Sequence, residues 1–523
     1  MCLNNRGSVK GLLLLIIIGA VILLAIFVVR PLVFNKHQRK TSDAAASATT
    51  IRIAGDGYLG YWFITSPEMR TQSPRKGLEI AFTDDGGNYA ERLEKFDDKE
   101  YDCIVLPVNS YLQHGAKEKF QGVIVAAISE SKGADAIVGF PDLMPSGKIN
   151  DLNDPDLRII YTGQSPSSFL LDLTIADFDL DRLRTEKTWR HEAASSEEVY
   201  DIAKKASKDR TKGDAFVMWE PEVSKAIEKL GMKYLWGSDK FAGYIIDVFV
   251  FRRDFVAKNP EIVQKFLGTY FRVLDTYAAN PERMVKEMKK SADLSEPVIE
   301  SMIKKIDWYN LAENCSQEFG IQTDPSIPAN DGIISTIIAC SDVMSRAGYF
   351  DNDDLRDPYI IVNSSFLDQL SSTGVKAVGA DGKPVVINFK PLNDQAWTDL
   401  KEVGTMRIEP ITFKSGSNSL DDQGKEVVDK VAKMLVANYP TYRVAIKGHT
   451  GAGDVEANKA LSLERAQVVL QRLVAVHSVV PERLHAYGLG ATQPPKLKPG
   501  ESQRSLGFRM PRVEFILLEG NEL

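Results

Sequence analysis

Cysteine is scarce in this sequence: four in 523 residues, too few for a disulfide-dense scaffold. The six histidines are scattered and nowhere take a metal-ligand spacing. GxSxG, HExxH, CxxC and Walker A patterns are all missing. Nothing therefore points to covalent or metal catalysis, and the expectation is a non-enzyme with no cofactor and no metal. There is no G-X-Y period and no long low-complexity tract. Basic excess is lacking too: the formal net charge is −7, which speaks against broad nucleic-acid binding. With 44% hydrophobic and 26% charged residues, the composition is that of a folded protein rather than a disordered one.

Charge is unevenly spread. Residues 1–40 carry Arg6, Lys10, Arg30, Lys36, Arg39 and Lys40 and no acid, so all 71 Asp and Glu fall in the distinctly acidic remainder. Within the basic segment, Gly11 to Val29 has no polar side chain. At ~1.5 Å per residue such a helix spans roughly 28 Å, about one hydrocarbon core. Arg30-Pro31 follows directly and the nearest small-residue stretch is distant, so an uncleaved signal anchor over 11–29 is expected. The positive-inside rule alone favours the opposite orientation. It is overridden because both large domains below look extracytoplasmic, leaving residues 1–10 cytoplasmic. The span holds no Asp, Glu, Lys or Arg that could relay protons or ions, which counts against a stator-type or channel subunit.

Length over ~150 residues suggests roughly three units. Residues 30–50 read as a linker. Apolar strand candidates (Ile51–Ala54, Leu78–Thr83, Asp102–Pro107, Val123–Ser129, Leu157–Tyr161, Ala215–Trp219, Ile245–Phe251) alternate with helical patterns such as Tyr89–Phe96 and Glu197–Lys208. That alternation predicts an α/β domain with mainly parallel sheets. Helices follow, at Glu261–Ala278 and Pro297–Asp307, up to about residue 371. A connector with a short β-like piece, Val385–Phe389, covers 372–404. From 405 to 523 the pattern β-α-β-α-β-β appears, with strands at Arg407–Phe413, Tyr442–Lys447, Arg483–Gly488 and Arg512–Leu518. Its helices, Asp421–Ala437 and Asn458–Val476, carry apolar faces.

In this last unit Gly448-His449-Thr450, Asn458, Leu461-Ser462-x-x-Arg465-Ala466, Gly488-x-Gly490 and Arg512-Val513-Glu514 stand in order. The segment resembles the OmpA-like peptidoglycan-binding domain, a small α+β sandwich. The resemblance implies that Arg465 meets the free carboxylate of the diaminopimelate stem peptide, as a guanidinium fork suits a carboxylate. Thr450, Asn458 and Arg512 are carried over as further binding residues. The family's Asp after Gly-His-Thr is here Gly451, in a loop one residue shorter, and Asp454 is the nearest acid that could substitute. His449 reads as a structural strand-end residue.

The central domain offers a false lead. Gly55-x-Gly57-x-x-Gly60 follows a strand, as in a dinucleotide fingerprint. Pro67 and Pro74 would break the helix required after it, and Tyr58 and Tyr61 would crowd a pyrophosphate. Instead, Asp102–Ser110, Ser129–Asp135, Thr162–Ser168, Trp219-Glu220-Pro221 and Gly237-Ser238 with Asp247 look like type 2 periplasmic solute-binding proteins of the nitrate/sulfonate branch. Over 51–371 the resemblance implies two α/β lobes that close on a ligand. Ser165, Ser167 and Ser168 would offer hydroxyls and N–H groups at a helix start, or simply cap it. Tyr58, Tyr61, Asn109 and Ser131 are candidate contacts. Glu220 either meets a cationic group or stabilises the hinge. Cys315 and Cys340 are the pair placed to meet in an oxidising compartment, and whether they bond is left open.

The expectation is an inner-membrane-anchored periplasmic protein that binds a small solute, which could be anionic, and tethers to peptidoglycan. It would act as an envelope sensor or adaptor with an inner-membrane partner. The alternatives are the solute-binding component of an ABC uptake system and a scaffold with a vestigial cleft.

Overall fold

The computed structural model describes residues 49–519, apart from 118, 293–294, 323–328, 373–388, 415–416, 496 and 498–500. The expected span at 11–29 and almost all of the β-like piece at Val385–Phe389 lie outside the described residues. Among the described residues no helix is long and apolar enough to cross a membrane.

Two sheets organise the described residues between 49 and 372. The first contains β1 (Thr49–Gly55), β2 (Leu78–Asp84), β3 (Cys103–Pro107), β4 (Gly122–Ser131), β10 (Ile246–Arg252) and β11 (Ile306–Trp308), in the order β11-β4-β10-β3-β1-β2. The second contains β5 (Asp135–Gly139), β6 (Ile159–Thr162), β7 (Arg190–Ala193), β8 (Ala215–Trp219) and β9 (Lys233–Gly237), in the order β7-β6-β8-β5-β9. The chain thus leaves the first lobe after β4 and returns to it before β10. Two crossings join the lobes.

The sheets are mixed, and the expectation of mainly parallel pairing is corrected here. β1, β2 and β3 run parallel, as do β6, β7 and β8. β4, β5, β9 and β10, the strands that flank the crossings, pair antiparallel with their neighbours. A strand that carries the chain away from a lobe and one that brings it back must point in opposite directions. β4 and β10 are buried on both faces throughout, which is why they read as unbroken apolar runs.

Several local expectations also shift. Pro67 begins a helix (Pro67–Arg75) behind the Ser66 cap instead of breaking one, since a first-turn residue has no partner for its N–H. The helix expected at Pro297–Asp307 spans Glu296–Ile303, and the chain then enters β11. Cys315 and Cys340 are buried free thiols facing the carbonyls of Leu367 and Tyr244.

The C-terminal sheet has the order β12-β15-β13-β14, from β12 (Lys401–Thr405), β13 (Arg443–His449), β14 (Leu484–Gly488) and β15 (Arg512–Glu519). Its first strand is therefore not Arg407–Phe413. That segment is irregular, apart from a single bridge at Phe413. A short helix, Gln503–Arg509, precedes β15. The Val455–His477 helix lies close against the sheet. A Cβ on Gly448 would sit 2.0 Å from the Ser462 carbonyl, so only glycine permits this approach.

One apolar core runs without interruption from the first lobe through the inner face of the second to the C-terminal unit. At the junction Phe178 meets the rings of Trp236, Phe241 and Tyr439. Buried Asp177 accepts a hydrogen bond from Tyr439 Oη at 2.6 Å, and its carbonyl accepts the Arg407 N–H at 2.6 Å. Asn438 exchanges two 2.9 Å bonds with the backbone of Ala242, in the second crossing.

Candidate functional site: an acidic aromatic cleft and the Arg465 helix

A small cavity lies between the lobes. Tyr58, Tyr61, Tyr89, Pro107, Ile245 and Asp247 line it from the first lobe side, and Asp135, Pro166 and Trp219 from the second. Its volume is about 10 Å³, room for about one water molecule. The lobes are closed over it. Gly87, at φ 81°, brings its backbone against Trp219, and a Cβ there would lie 3.3 Å from the indole. His114 Nε2 of the first lobe lies 3.2 Å from the Gln164 carbonyl of the second.

Two carboxylates in this lining lack an ion pair among the described residues. Asp247 accepts hydrogen bonds from Tyr61 Oη and from Ser129 Oγ, the latter at 3.3 Å. Burial pushes its carboxyl well up, with Asp135 and Asp56 adding repulsion. Burial likewise raises Asp135 to about 7, against the Ser131 hydrogen bond. The nearby guanidinium of Arg92 is fully committed. It binds Asp85 and Asp56 and donates to the Val105 carbonyl. Tyr58 Oη is buried without a hydrogen-bond partner, and its ring meets Tyr61 edge-on at 5.3 Å.

The expected solute contacts separate into groups. Tyr58 and Tyr61 line the cavity. Ser131 belongs to the hinge: its Oγ lies 2.8 Å from Ser238 Oγ and accepts the Asp135 N–H, tying the two crossings together. Glu220 is also taken up at the hinge, by Lys305 and by two bonds from Ser224. Ser165 and Ser168 form a capping box on the Pro166–Asp177 helix. Ser165 Oγ donates to the Thr162 carbonyl and accepts the Ser167 N–H, and Ser168 Oγ donates to the Ser165 carbonyl, so two of the three hydroxyls expected to meet an anion are engaged locally. Asn109, two residues after Pro107, and Ser167, beside Pro166, are buried with their side-chain polar atoms unpartnered.

Asp135, Asp247, Tyr89 and Trp219 were not singled out as contacts from the sequence. A signal was present in two of them. Asp247 stands alone in Ile245–Phe251 and Asp135 opens an apolar strand, and a lone acid in a buried strand is too unfavourable to persist without a purpose.

On the C-terminal unit, Arg465 stacks its guanidinium 4.9 Å over the Phe413 ring, and its Nε is buried without a partner. Thr450 is buried with Oγ1 unpartnered, while its N–H donates to the Gly490 carbonyl. Asn458 Nδ2 donates to the Gly451 carbonyl at 3.2 Å. Asp454 caps the Val455–His477 helix through the Ala457 N–H, so its carboxylate already has a structural partner. Arg512 is held by Glu514 and by the carbonyls of Met510 and Gln493. His449 is buried on Glu514. Burial alone would raise the Glu514 carboxyl, but His449 and Arg512 outweigh it and hold it near 2.

Residues 412–506 match the OmpA family. The C-terminal unit is an OmpA-type domain. A search of curated proteins found no match. Solved structures similar to the rest include the Candida albicans CA3427 gene product, described as having the generic periplasmic binding protein fold. It is 12% identical, with 60% of this chain and 96% of that chain covered, and a TM-score of 0.48. The alkanesulfonate-binding protein SsuA of Xanthomonas axonopodis pv. citri, bound to MOPS, is 13% identical over 60% and 98% of the two chains, with a TM-score of 0.44. The Escherichia coli aliphatic sulphonate binding protein SsuA is 18% identical over 51% and 89%, with a TM-score of 0.40. The two-lobed assignment itself rests on the strand order and the paired crossings. The chain joins a two-lobed α/β domain to an OmpA-type domain.

Proposed function

We propose that this protein is an envelope adaptor. The segment 11–29 anchors it in the inner membrane, the two-lobed domain closes on a small solute in the periplasm, and the OmpA-type domain grips the peptidoglycan stem peptide through Arg465. The observation that carries the reading is the shared core. Asp177, Phe178 and Ala242, all on or beside the second lobe, are packed against Tyr439 and Asn438 of the OmpA-type domain. A lobe fixed to a wall-binding domain turns hinge closure into movement relative to the wall. The Arg465 guanidinium, stacked on Phe413 with its buried Nε unpartnered, supports the wall contact. The inner-membrane partner and the sensing role belong to this proposal.

The test is co-sedimentation of the full chain with isolated peptidoglycan. Binding that falls about tenfold or more in Arg465→Ala is expected, since a charge-assisted pair contributes ~1.5–3 kcal/mol. Unmutated protein that stays in the supernatant would remove the tether.

A further inference from the structure

We propose that the interlobe cavity binds the ammonium head of a small organic cation, clasped between Asp135 and Asp247 and walled by tyrosine and tryptophan rings. This rests on the solute-binding reading and names the chemistry of its ligand.

Three observations converge. The lining has two carboxylates, one from each lobe side, and no Lys or Arg. The basic groups nearby are engaged elsewhere, Arg92 by Asp56 and Asp85 and Lys305 by Glu220. An anion entering here would meet two acids and no cation. A cation would supply the ion pair that both acids lack among the described residues, and buried carboxylates gain most from such a partner.

The second observation is the rings. Tyr58, Tyr61, Tyr89 and Trp219 line the same space. Aromatic faces attract ammonium groups, most strongly where water is excluded. Tyr89 already carries the Arg92 guanidinium 4.7 Å from its ring centre, so the cation would rest on Tyr58, Tyr61 and Trp219. The third is Tyr58 Oη, a hydroxyl 7% exposed on its residue and unpartnered in the lining. A hydroxyl can accept an ammonium N–H, which would remove the penalty of leaving it unsatisfied.

Size agrees with this. The closed cavity has room for about one water molecule, and an –NH3+ head is of that size. A substituent on the nitrogen must push Trp219 away from Gly87, so ligand entry and release need the lobes to part. Because the acids sit on opposite lobes, the cation itself would hold the lobes together.

Calorimetric titration of the full chain with methylammonium, ethanolamine and putrescine, beside methanesulfonate, nitrate and phosphate, tests this. Saturable binding of at least one amine is expected. It should weaken about tenfold or more in Asp247→Asn and in Asp135→Asn, as loss of a charged partner implies. Each replacement keeps the side-chain shape, and Tyr58→Phe gives a third variant that leaves both acids in place and should weaken amine binding more modestly. Binding of an anion, unchanged or improved in the Asn variants, would overturn the cation assignment and leave the solute-binding reading intact. Amine binding insensitive to all three variants would also overturn it. If neither charge class binds, the assignment and the solute-binding reading fall together.

Discussion

Gly451 stands where a carboxylate would face the ammonium end of the wall peptide, in the family that the segment resembles. A Cβ at this position would meet nothing within 4 Å, and its φ lies outside the left-handed region. The position therefore accepts a side chain without strain. Asp454 cannot easily replace it, since its carboxylate caps a helix and lies eleven residues before Arg465, about 16 Å along the axis. Gly451→Asp is expected to tighten peptidoglycan binding by about tenfold, the effect of one charge-assisted hydrogen bond. The same co-sedimentation assay reads it, and unchanged affinity would mean that the acid's position in this shorter loop is wrong. These residues were legible because the motif is local. The fate of Asp454 was not, because a cap is recognisable only once the helix start is known. Sequence reading placed that start at Asn458, three residues late.

At the scale of elements, the Pro166–Asp177 helix joins the two functional ends. Its N-terminus, closed by the Ser165–Ser168 capping box, presents Pro166 to the cavity. Its C-terminus presents Asp177 to Tyr439 and Tyr244, with Arg346 Nη2 3.5 Å away. Burial raises the Asp177 carboxyl, and Arg346 and Tyr439 act against that. Tyr439→Phe removes one hydrogen bond from a buried acceptor and should destabilise the chain by about 1–3 kcal/mol. Urea unfolding followed by tryptophan fluorescence measures it. Because the bond ties the second lobe to the OmpA-type domain, the variant should also split a single transition into two. A single transition of unchanged midpoint would show that the junction is weak. The helix itself was suggested by its serines and apolar run. Its role as a connector depends on residues 262 positions apart and could not be read locally.

For the whole molecule, the closed cleft makes stability depend on pH. Asp135 is raised to about 7 by burial first, with Asp56 and Glu220 adding repulsion. In the unfolded chain an Asp loses its proton near 3.9. Between about 3.9 and 7 the native state thus holds a proton that the unfolded state has released. Stability contributed by this group falls as pH rises across that window and levels off above it. Asp135→Asn should flatten this slope and raise the melting temperature at pH 8 relative to the unmutated chain. Thermal unfolding across pH 4 to 8 checks it, and parallel slopes in the two proteins would show that Asp135 is ionised in the fold.

The sequence by itself determined the order of the parts. Periodicity placed most strands and helices, because burial on one or both faces is written into neighbouring residues. The Gly-His-Thr and Leu-Ser-x-x-Arg spacing located the OmpA-type domain. Ligand chemistry was another matter. Serines at a helix start suggested an anion, yet two of the three, Ser165 and Ser168, cap their own helix. The acids that line the cleft come from β10 and from the start of β5, 112 residues apart. Whether such acids find a cation, a helix dipole or each other is decided by which strands the two crossings bring together. Only the tertiary structure places Asp135 opposite Asp247 and commits Arg92 elsewhere, because electrostatic partners are chosen by distance in space and not along the chain.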